Sequence, residues 1–494
     1  MGPSLYNADV HKFVEGACSP SRGVRALRAK ALGMTRGDLF LVTISIVIAL
    51  AVEWFVGQSA DINVAVLVTY VFFLWVLYVR DRRFILEFFW LITMATLNII
   101  GAFCCDEGLF LVELNYSSWY ICSVTPLVAL YVVMFAAIEM YRLSKGEAIR
   151  LRDENRTTDK NKLNWILLIG VLIALYLFAQ VAANPYYKAG VLRLDYAAQY
   201  MSSFSVSLRT YLPFFLPLVV MAWRSGCRLL PVTFLFLTFG FYFLEGDKFG
   251  AYFFAAFILA LAALPSLSDD KVNVIIRVLF AFFWILIGVV YVQRILLFDN
   301  TFTEFLDAIT QRLAQQGEVW WSIFMHGGGA SLPSVDFANE INAVLVPSSQ
   351  SAYDFGQWRM MRVASDYSSY SSYRIEAGNP YTATTTASIV TYFGYLAAVP
   401  LYAIAGWVYA ALIRNASRAF DSRHVLESMI YVKLISIAGN VLFASDITYL
   451  LSLQGFVYIA ALFALTISRE RRKARPAQIR KVNFNRRYLN YEKQ

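Results

Sequence analysis

Basic residues that could bind a phosphate group fall in three stretches of the sequence. VLRLDYAAQYMSSFSVSLRTYL contains Arg193 and Arg209, EGDKFG contains Lys248, and a later stretch runs from Arg312 to Arg374. Arginine pairs its planar fork of N–H donors with phosphate oxygens, and lysine binds phosphate as a point charge. We predict that these five residues bind a diphosphate. The alternative for each arginine taken alone is a surface or snorkelling role.

Four carboxylates and one histidine are candidates for a general base. Glu318 lies in QRLAQQGEVWW, Glu376 in SSYRIEAG and His326 in MHGGGAS, while Glu245 lies in EGDKFG and Asp195 in VLRLDYAAQY. A hydroxyl group that attacks a carbon atom loses its proton, so a base must lie within hydrogen-bond reach. Among the carboxylates we prefer Glu376. The alternatives are a structural Arg–Glu pair for Glu376 and an incidental loop position for His326.

The stretch SDYSSYSSYRIEAGNPYTATTT is rich in aromatic rings and hydroxyl groups. Sugars present apolar C–H faces ringed by hydroxyl groups, so stacking rings with short polar partners are expected in a saccharide site. We predict saccharide binding by Tyr367, Tyr370, Tyr373 and Trp320. Trp320 and Trp321 also fit an anchor at headgroup level. The alternative for the whole stretch is a flexible hydrophilic loop.

Membrane helices must position these residues. The chain has 494 residues, of which 59% are hydrophobic and 16% charged, and its mean hydropathy is +0.54, which excludes an ordinary soluble enzyme. Apolar runs of about 20 residues indicate transmembrane helices. The sequence therefore predicts an all-α polytopic membrane protein with about twelve spans, near 39–57, 63–79, 84–103, 120–141, 163–182, 210–223, 229–244, 249–264, 272–296, 387–412, 425–445 and 448–467.

The distribution of Lys and Arg predicts the orientation. Most of the 43 basic residues lie in segments on the same side as both termini, which places both termini in the cytoplasm. The net charge of +9 then reflects orientation and contact with anionic lipid headgroups rather than nucleic acid. The predicted organisation is a basic amino-terminal segment (1–38), nine helices (39–296) with an outer loop at 183–209, a long outer loop (297–386), three helices (387–467) and a basic tail (468–494).

Three of the predicted helices are short. The runs 210–223, 229–244 and 249–264 would each extend only about 21 to 24 Å, against about 30 Å of hydrocarbon. The EGDKFG turn is therefore expected below the outer surface, with Glu245, Asp247 and Lys248 near headgroup or upper acyl depth, where ionisable residues are commonly functional. Bilayer thinning, a re-entrant pair or a short solvated turn with a Lys–carboxylate pair are the alternatives.

The first part of the long loop is predicted to be an amphipathic helix lying in the membrane interface. Arg312 and Glu318 are expected on its polar side. The apolar side is formed by residues spaced three and four apart: Phe302, Phe305, Leu306, Ile309, Leu313, Trp320, Ile323 and Phe324.

This arrangement resembles the Wzy-type O-antigen and capsular polysaccharide polymerases, within the O-antigen polymerase and ligase superfamily. QRLAQQGEVWW resembles their Arg, Gln-Gly and Trp-Trp stretch, EGDKFG resembles the turn that opens a helix, and GNPYTATTTASIVTYFG resembles the entry to the helix after the long loop. Ligases usually carry a His-Asn pair at that entry, whereas this chain has Gly378 and Asn379. The departure favours polymerisation over ligation.

The resemblance implies a reaction at the periplasmic face of a bacterial inner membrane. A growing glycan would pass from undecaprenyl diphosphate to the non-reducing end of a new lipid-linked repeat unit. The expected partners are this oligosaccharide lipid, membrane lipids and a chain-length regulator protein. No cofactor is expected, and with only His11, His326 and His424 and no metal-ligand spacing, no metal either.

Two other functions remain open. A flippase or transporter of lipid-linked oligosaccharides would usually show internal repeats and charges near mid-membrane. No clear repeat is found, and the ionisable residues gather towards the outer side. A glycan ligase of the same superfamily would share the donor site and differ in the acceptor.

Overall fold

The computed structural model is almost entirely helical. It describes residues 36–56, 61–111, 114–145, 160–189, 196, 199–246, 249–298, 301–326, 362–365, 385–422, 424–444 and 455–465. The first helices are α1 (Arg36–Val56), α2 (Asp61–Arg80), α3 (Arg82–Glu87), α4 (Phe89–Asp106), α5 (Val124–Lys145), α6 (Lys160–Ala182), α7 (Tyr186–Ala189), α8 (Ser203–Arg209) and α9 (Leu216–Arg224). The later helices are α10 (Leu229–Glu245), α11 (Gly250–Ala263), α12 (Asp269–Phe298), α13 (Phe302–Ala314), α14 (Glu318–Met325), α15 (Thr385–Asp421), α16 (Val425–Ala444) and α17 (Gly455–Leu465).

Short elements complete the described chain. Leu212–Phe215 and Leu264–Ser266 form 3-10 turns. The strands β1 (Phe110–Leu111) and β2 (Tyr116–Ser117) form a small antiparallel hairpin between α4 and α5.

Several helices have the length and composition of membrane spans. Within the described chain, eight stretches qualify: Asp61–Arg80, Phe89–Asp106, Val124–Ser144, Lys160–Ala189, Ser203–Arg224, Asp269–Val292, Thr386–Asp421 and Val425–Leu442. Shorter apolar helices cover Leu39–Glu53, Leu229–Glu245, Gly250–Ser266 and Gly455–Leu465. Each apolar run predicted from the sequence overlaps one of these helices. An all-α, membrane-embedded architecture is therefore supported, whereas the number of spans and their orientation remain predictions.

The sixth apolar run is longer than the sequence predicts. Residues 210–223 continue a helical stretch that begins at Ser203, because the Ser202 side chain accepts a hydrogen bond from the Ser205 N–H and starts α8. Pro213 and Pro217 lie at the first positions of the 3-10 turn and of α9, where the missing N–H of proline is tolerated. A 3-10 turn at Leu212–Phe215 interrupts the stretch, which is not short.

The amphipathic segment forms two helices rather than one. A capping box formed by Thr301 and Glu304 starts α13, which ends at Ala314, and α14 begins at Glu318. The break lets α13 keep an exposed apolar and polar surface while α14 becomes buried.

Helix α15 folds back on itself at Gly394. This residue has φ 75° and ψ 165°, a conformation that only glycine adopts without strain. The Thr386 hydroxyl bonds to the Tyr402 hydroxyl, although each residue lies eight positions from Gly394. Eight helical residues span about 12 Å, so two legs in line would hold these residues about 24 Å apart. The leg 385–393 therefore runs antiparallel to the start of the leg 395–421.

Polar contacts define two ends of the bundle. At one end Arg83 bonds to Asp269 and to the Leu267 carbonyl, and Arg224 bonds to the carbonyls of Ala262 and Ala263. We call this the Arg142 end, because Arg142 closes α5 there. The opposite end carries the last residue of α4 and is called the Asp106 end. The charge distribution predicts that the Asp106 end faces outward.

Candidate functional site

An ion pair between Arg209 and Glu245 lies at the Asp106 end. Arg209 Nη1 is 2.8 Å from Glu245 Oε1, and the glutamate side chain is only 2% exposed whereas the arginine is 28% exposed. Glu245 ends α10, and Gly246 then takes a left-handed conformation in contact with the Tyr186 ring. A buried carboxylate thus orients a partly exposed guanidinium.

Helix length gives the distance of this ion pair from the Arg142 end. Arg209 lies 15 residues before Arg224, and Glu245 lies 16 residues after Leu229, where both chains reach the Arg142 end. At 1.5 Å per residue the pair lies about 22 to 24 Å from that end, against a hydrocarbon thickness of about 30 Å. The depth of Glu245 in a bilayer stays a prediction.

Tyr196 lies beside the same carboxylate. Burial raises the pKa of Tyr196 to about 12, and the negative charge of Glu245 contributes to the increase. The Tyr196 hydroxyl donates to the Asn184 carbonyl at 2.6 Å, and its ring meets the Tyr186 ring edge-on. The rings of Tyr196 and Tyr186 therefore lie beside Glu245 and the turn that follows it.

Arg312 lies on the exposed face of α13. Its Nη1 donates to Gln315 Oε1 at 2.6 Å, across the junction between α13 and α14. Arg312 and Arg209, both predicted phosphate ligands, lie on two separate helices, α13 and α8.

Helix α14 is buried together with its predicted site residues. Glu318 and Trp320 are fully buried, whereas the sequence predicts Glu318 on a polar face and Trp320 at headgroup level. Trp320 Nε1 donates to the Ser123 carbonyl at 2.8 Å, and its ring stacks on Phe324. Trp321 Nε1 donates to the Trp119 carbonyl at 3.1 Å. A saccharide could stack on Trp320 only if α14 moved.

Two glycines explain this burial. A side chain at Gly317 would place its Cβ 2.1 Å from the Ala102 nitrogen, and one at Gly101 would place its Cβ 2.5 Å from the Gly317 nitrogen. The backbones of α4 and of the α13–α14 junction are therefore in direct contact. The Gln-Gly pair in QRLAQQGEVWW is needed here for packing.

His326 ends α14 with a defined tautomer. Its Nδ1 lies 2.7 Å from the Ser322 carbonyl oxygen. A carbonyl only accepts, so Nδ1 donates and a neutral ring carries its lone pair on Nε2, as a general base requires. Ser322 donates to the Ala364 carbonyl, and the Tyr116 hydroxyl donates to Ser322 at 3.2 Å. The histidine is thereby tied to residues 362–365.

The buried Asp106 side chain accepts hydrogen bonds from several elements at this end of the bundle. No sequence motif pointed to it. Its carboxylate accepts from Asn63 Nδ2 at 3.0 Å, from the Ser123 N–H at 2.9 Å and from the Ile121 N–H at 3.4 Å. It therefore connects α2, α4 and the segment before α5. The signal in the sequence was an acid that closes an apolar run next to Cys104 and Cys105.

A hydroxyl network lies beneath this layer. Asn98 Nδ2 donates to the Tyr131 hydroxyl at 2.7 Å, and the Tyr131 ring meets the Tyr402 ring edge-on. With the Thr386–Tyr402 bond, the network joins α4, α5 and both legs of α15. The short leg is thus held between helices by neutral polar groups.

The remaining predicted site residues lie outside the described residues. These are Arg193, Lys248, Arg374, Glu376, Tyr367, Tyr370 and Tyr373. Their predicted roles stay predictions.

Comparison with known proteins adds one finding. Residues 350–459 match a family described only as a family of unknown function, DUF6418. The matched range contains α15 with its Gly394 turn and α16, and it covers less than a quarter of the chain. No curated protein and no solved structure matches the chain.

Proposed function

We propose that the protein is a polymerase of lipid-linked oligosaccharide repeat units in a bacterial inner membrane. It would transfer the growing glycan from undecaprenyl diphosphate to the non-reducing end of a new lipid-linked repeat, in O-antigen or capsule synthesis. The observation that supports the proposal is the Arg209–Glu245 pair. In this pair a buried carboxylate orients a partly exposed cation, which would bind the lipid diphosphate.

Glycan transfer requires a cation beside the departing diphosphate. The acceptor hydroxyl oxygen attacks the anomeric carbon while the bond from that carbon to the diphosphate oxygen breaks and its electron pair moves onto the diphosphate. A cation oriented before the reaction stabilises this charge most strongly where water is scarce. A guanidinium carries five N–H donors, so one carboxylate can orient it while phosphate oxygens bind elsewhere on its plane.

The acceptor proton goes to a base. Among the described candidates His326 fits best, because its Nδ1 donates to a carbonyl and its lone pair is then on Nε2. Glu318 is fully buried in this conformation. Glu376 remains the preferred carboxylate from the sequence.

Purified protein supplied with a synthetic lipid-linked repeat unit should form a ladder of longer products without added metal or nucleotide. Electrophoresis of the released glycan measures this ladder. Arg209→Ala should reduce elongation about a hundredfold or more, the range for removal of one charge-stabilising donor. Lys248→Ala and Arg312→Ala are expected to abolish elongation with normal expression.

Matched variants distinguish loss of the assigned site from the general effect of removing an arginine. Arg228→Ala removes an exposed arginine from the opposite end and should leave the ladder unchanged. Full activity in Arg209→Ala, Lys248→Ala and Arg312→Ala would remove the assigned diphosphate site. Full activity in His326→Gln would exclude His326 as the base.

A flippase of lipid-linked oligosaccharides is a second candidate, favoured by the turn at Gly394. Broken membrane helices that lie against a polar network are typical of transporters. Vesicle translocation of the lipid without formation of a ladder would favour this function over polymerisation.

A further inference from the structure

Two arginines lie one turn apart near the Arg142 end of α15. Arg414 and Arg418 are both half-buried, and the Nε atoms of both are hidden from solvent. No described residue accepts a hydrogen bond from Arg418 Nε. Their stems are therefore packed into the bundle.

Nearby carboxylates are already engaged by another arginine. Arg142 contacts Asp81 at 2.7 Å, Glu87 at 2.9 Å and Glu139 at 2.8 Å. Arg414 lies within electrostatic range of Arg142, of Glu87 and of its neighbour Arg418. Arg80 approaches Glu139 at 3.6 Å. Four arginines and three carboxylates thus lie close together here, and Asp421 follows one turn after Arg418 on the same helix.

An aromatic pair lies next to these arginines, on the side towards the middle of the bundle. Trp407 lies seven residues before Arg414, which is close to two full turns, so the two share a helix face. The Trp407 side chain is 48% exposed, and its ring meets the Tyr141 ring edge-on at 5.5 Å. About 10 Å separates Trp407 from Arg414 along the axis.

We propose that this stripe, formed by Trp407, Tyr141, Arg414 and Arg418, binds one anionic phospholipid. The two guanidinium groups hold the headgroup phosphate, and the aromatic pair packs against the glycerol and upper acyl chain. Two half-buried guanidinium groups on one helix face select an anionic lipid over a zwitterionic one, and basic pockets between membrane helices suit such headgroups. The inference does not depend on the proposed glycan chemistry.

Native mass spectrometry of the full chain in uncharged detergent tests this proposal. The protein is titrated with phosphatidylglycerol or phosphatidylcholine, and lipid adducts are counted. We expect selective retention of phosphatidylglycerol, and we expect Arg414→Gln/Arg418→Gln to weaken it about tenfold or more. Arg228→Gln is the matched control, because it removes an exposed arginine that lies near Trp223 at the same end.

A single variant and a competing anion make the test decisive. If the double variant does not fold, Arg418→Gln alone should weaken phosphatidylglycerol binding severalfold while phosphatidylcholine binding is unchanged. Equal retention of the two lipids by the wild type, or an unchanged preference in a folded variant, would overturn the proposal. Displacement of phosphatidylglycerol by inorganic phosphate at comparable concentration would assign the arginines to free phosphate, and would also overturn it.

Discussion

Asp106 shows how one buried side chain can organise several elements. The aspartate is 2% exposed, and two backbone N–H groups and one amide donate to it. Buried donors are costly to leave unpaired. The sequence predicts charges at this end of the membrane, but composition cannot indicate which acid is buried, because that depends on the donors that the fold brings around it.

Asp106→Ala should strongly destabilise the protein. Three donors would lose their acceptor, and we expect the free energy of unfolding to fall by about 3 kcal/mol. Thermal unfolding in detergent, followed by tryptophan fluorescence, measures the change.

Glu107→Gln is the control for this experiment, because Glu107 is the exposed neighbour. It should unfold like the wild type. A similar melting temperature for the two variants would contradict the organising role of Asp106.

At the scale of elements, the contact between α4 and the α13–α14 junction fixes the candidate base. His326 ends α14, so the packing of Gly317 on Gly101 also sets the position of the histidine. Helical spacing alone predicts one amphipathic helix at the interface, and α13 has the amphipathic pattern, whereas its position at the interface stays a prediction. It cannot predict the burial of α14, because that burial arises from two glycines far apart in the sequence.

Gly317→Ala should therefore disturb α14. The added methyl group would meet backbone atoms of Gly101 and Ala102 at 2.1 to 2.3 Å, which side-chain rotation cannot relieve. We expect a lower melting temperature and a loss of elongation of about tenfold or more, since small displacements of reacting groups cost up to about a hundredfold.

Gly288→Ala provides the comparison. Nothing lies within 4 Å of a Cβ at Gly288 in α12, and alanine is the better helix former. Stability and elongation should be preserved. Wild-type behaviour of Gly317→Ala would show that α14 tolerates displacement.

The membrane helices were predictable because long apolar runs have few other stable structures in a chain of this composition. The turn at Gly394 was not, because TASIVTYFGYLAAVPLYA is apolar on both sides of the glycine. Hydropathy reports that a residue prefers lipid. It does not report the direction in which the backbone runs.

At the scale of the whole molecule, the Arg142 end is held by a network of charges. Asp81 precedes α3, Glu87 ends it, and Glu139 and Arg142 lie one turn apart on α5. The network therefore joins the junction of α2 and α3 to α5. From such charges the sequence predicts only the orientation of the chain in the membrane. An arginine at a helix end looks the same in the sequence whether its side chain faces water or carboxylates.

Arg142→Ala should destabilise the protein by about 3 to 5 kcal/mol, because it leaves several largely buried carboxylates without their cation. The measurement is thermal or denaturant unfolding of the purified protein in detergent.

Arg83→Ala is the appropriate comparison at the same end. Arg83 and Asp269 form an exposed pair, with side chains 38% and 81% exposed, and such pairs contribute at most about 1 kcal/mol. Equal losses in the two variants would show that the Arg142 network does not hold the helices together.

The fold-back at Gly394 also constrains how the chain is made. A nine-residue leg is about 13 Å long, too short to enter a bilayer as an independent segment during synthesis. We therefore expect residues 385–393 to reach their place after α5 and the second leg of α15 have assembled, since Thr386 bonds to Tyr402, whose ring meets the Tyr131 ring. In ribosome-bound nascent chains that end soon after Asp421, this leg should be undocked. A cysteine introduced by Thr386→Cys should then react with a thiol-specific probe.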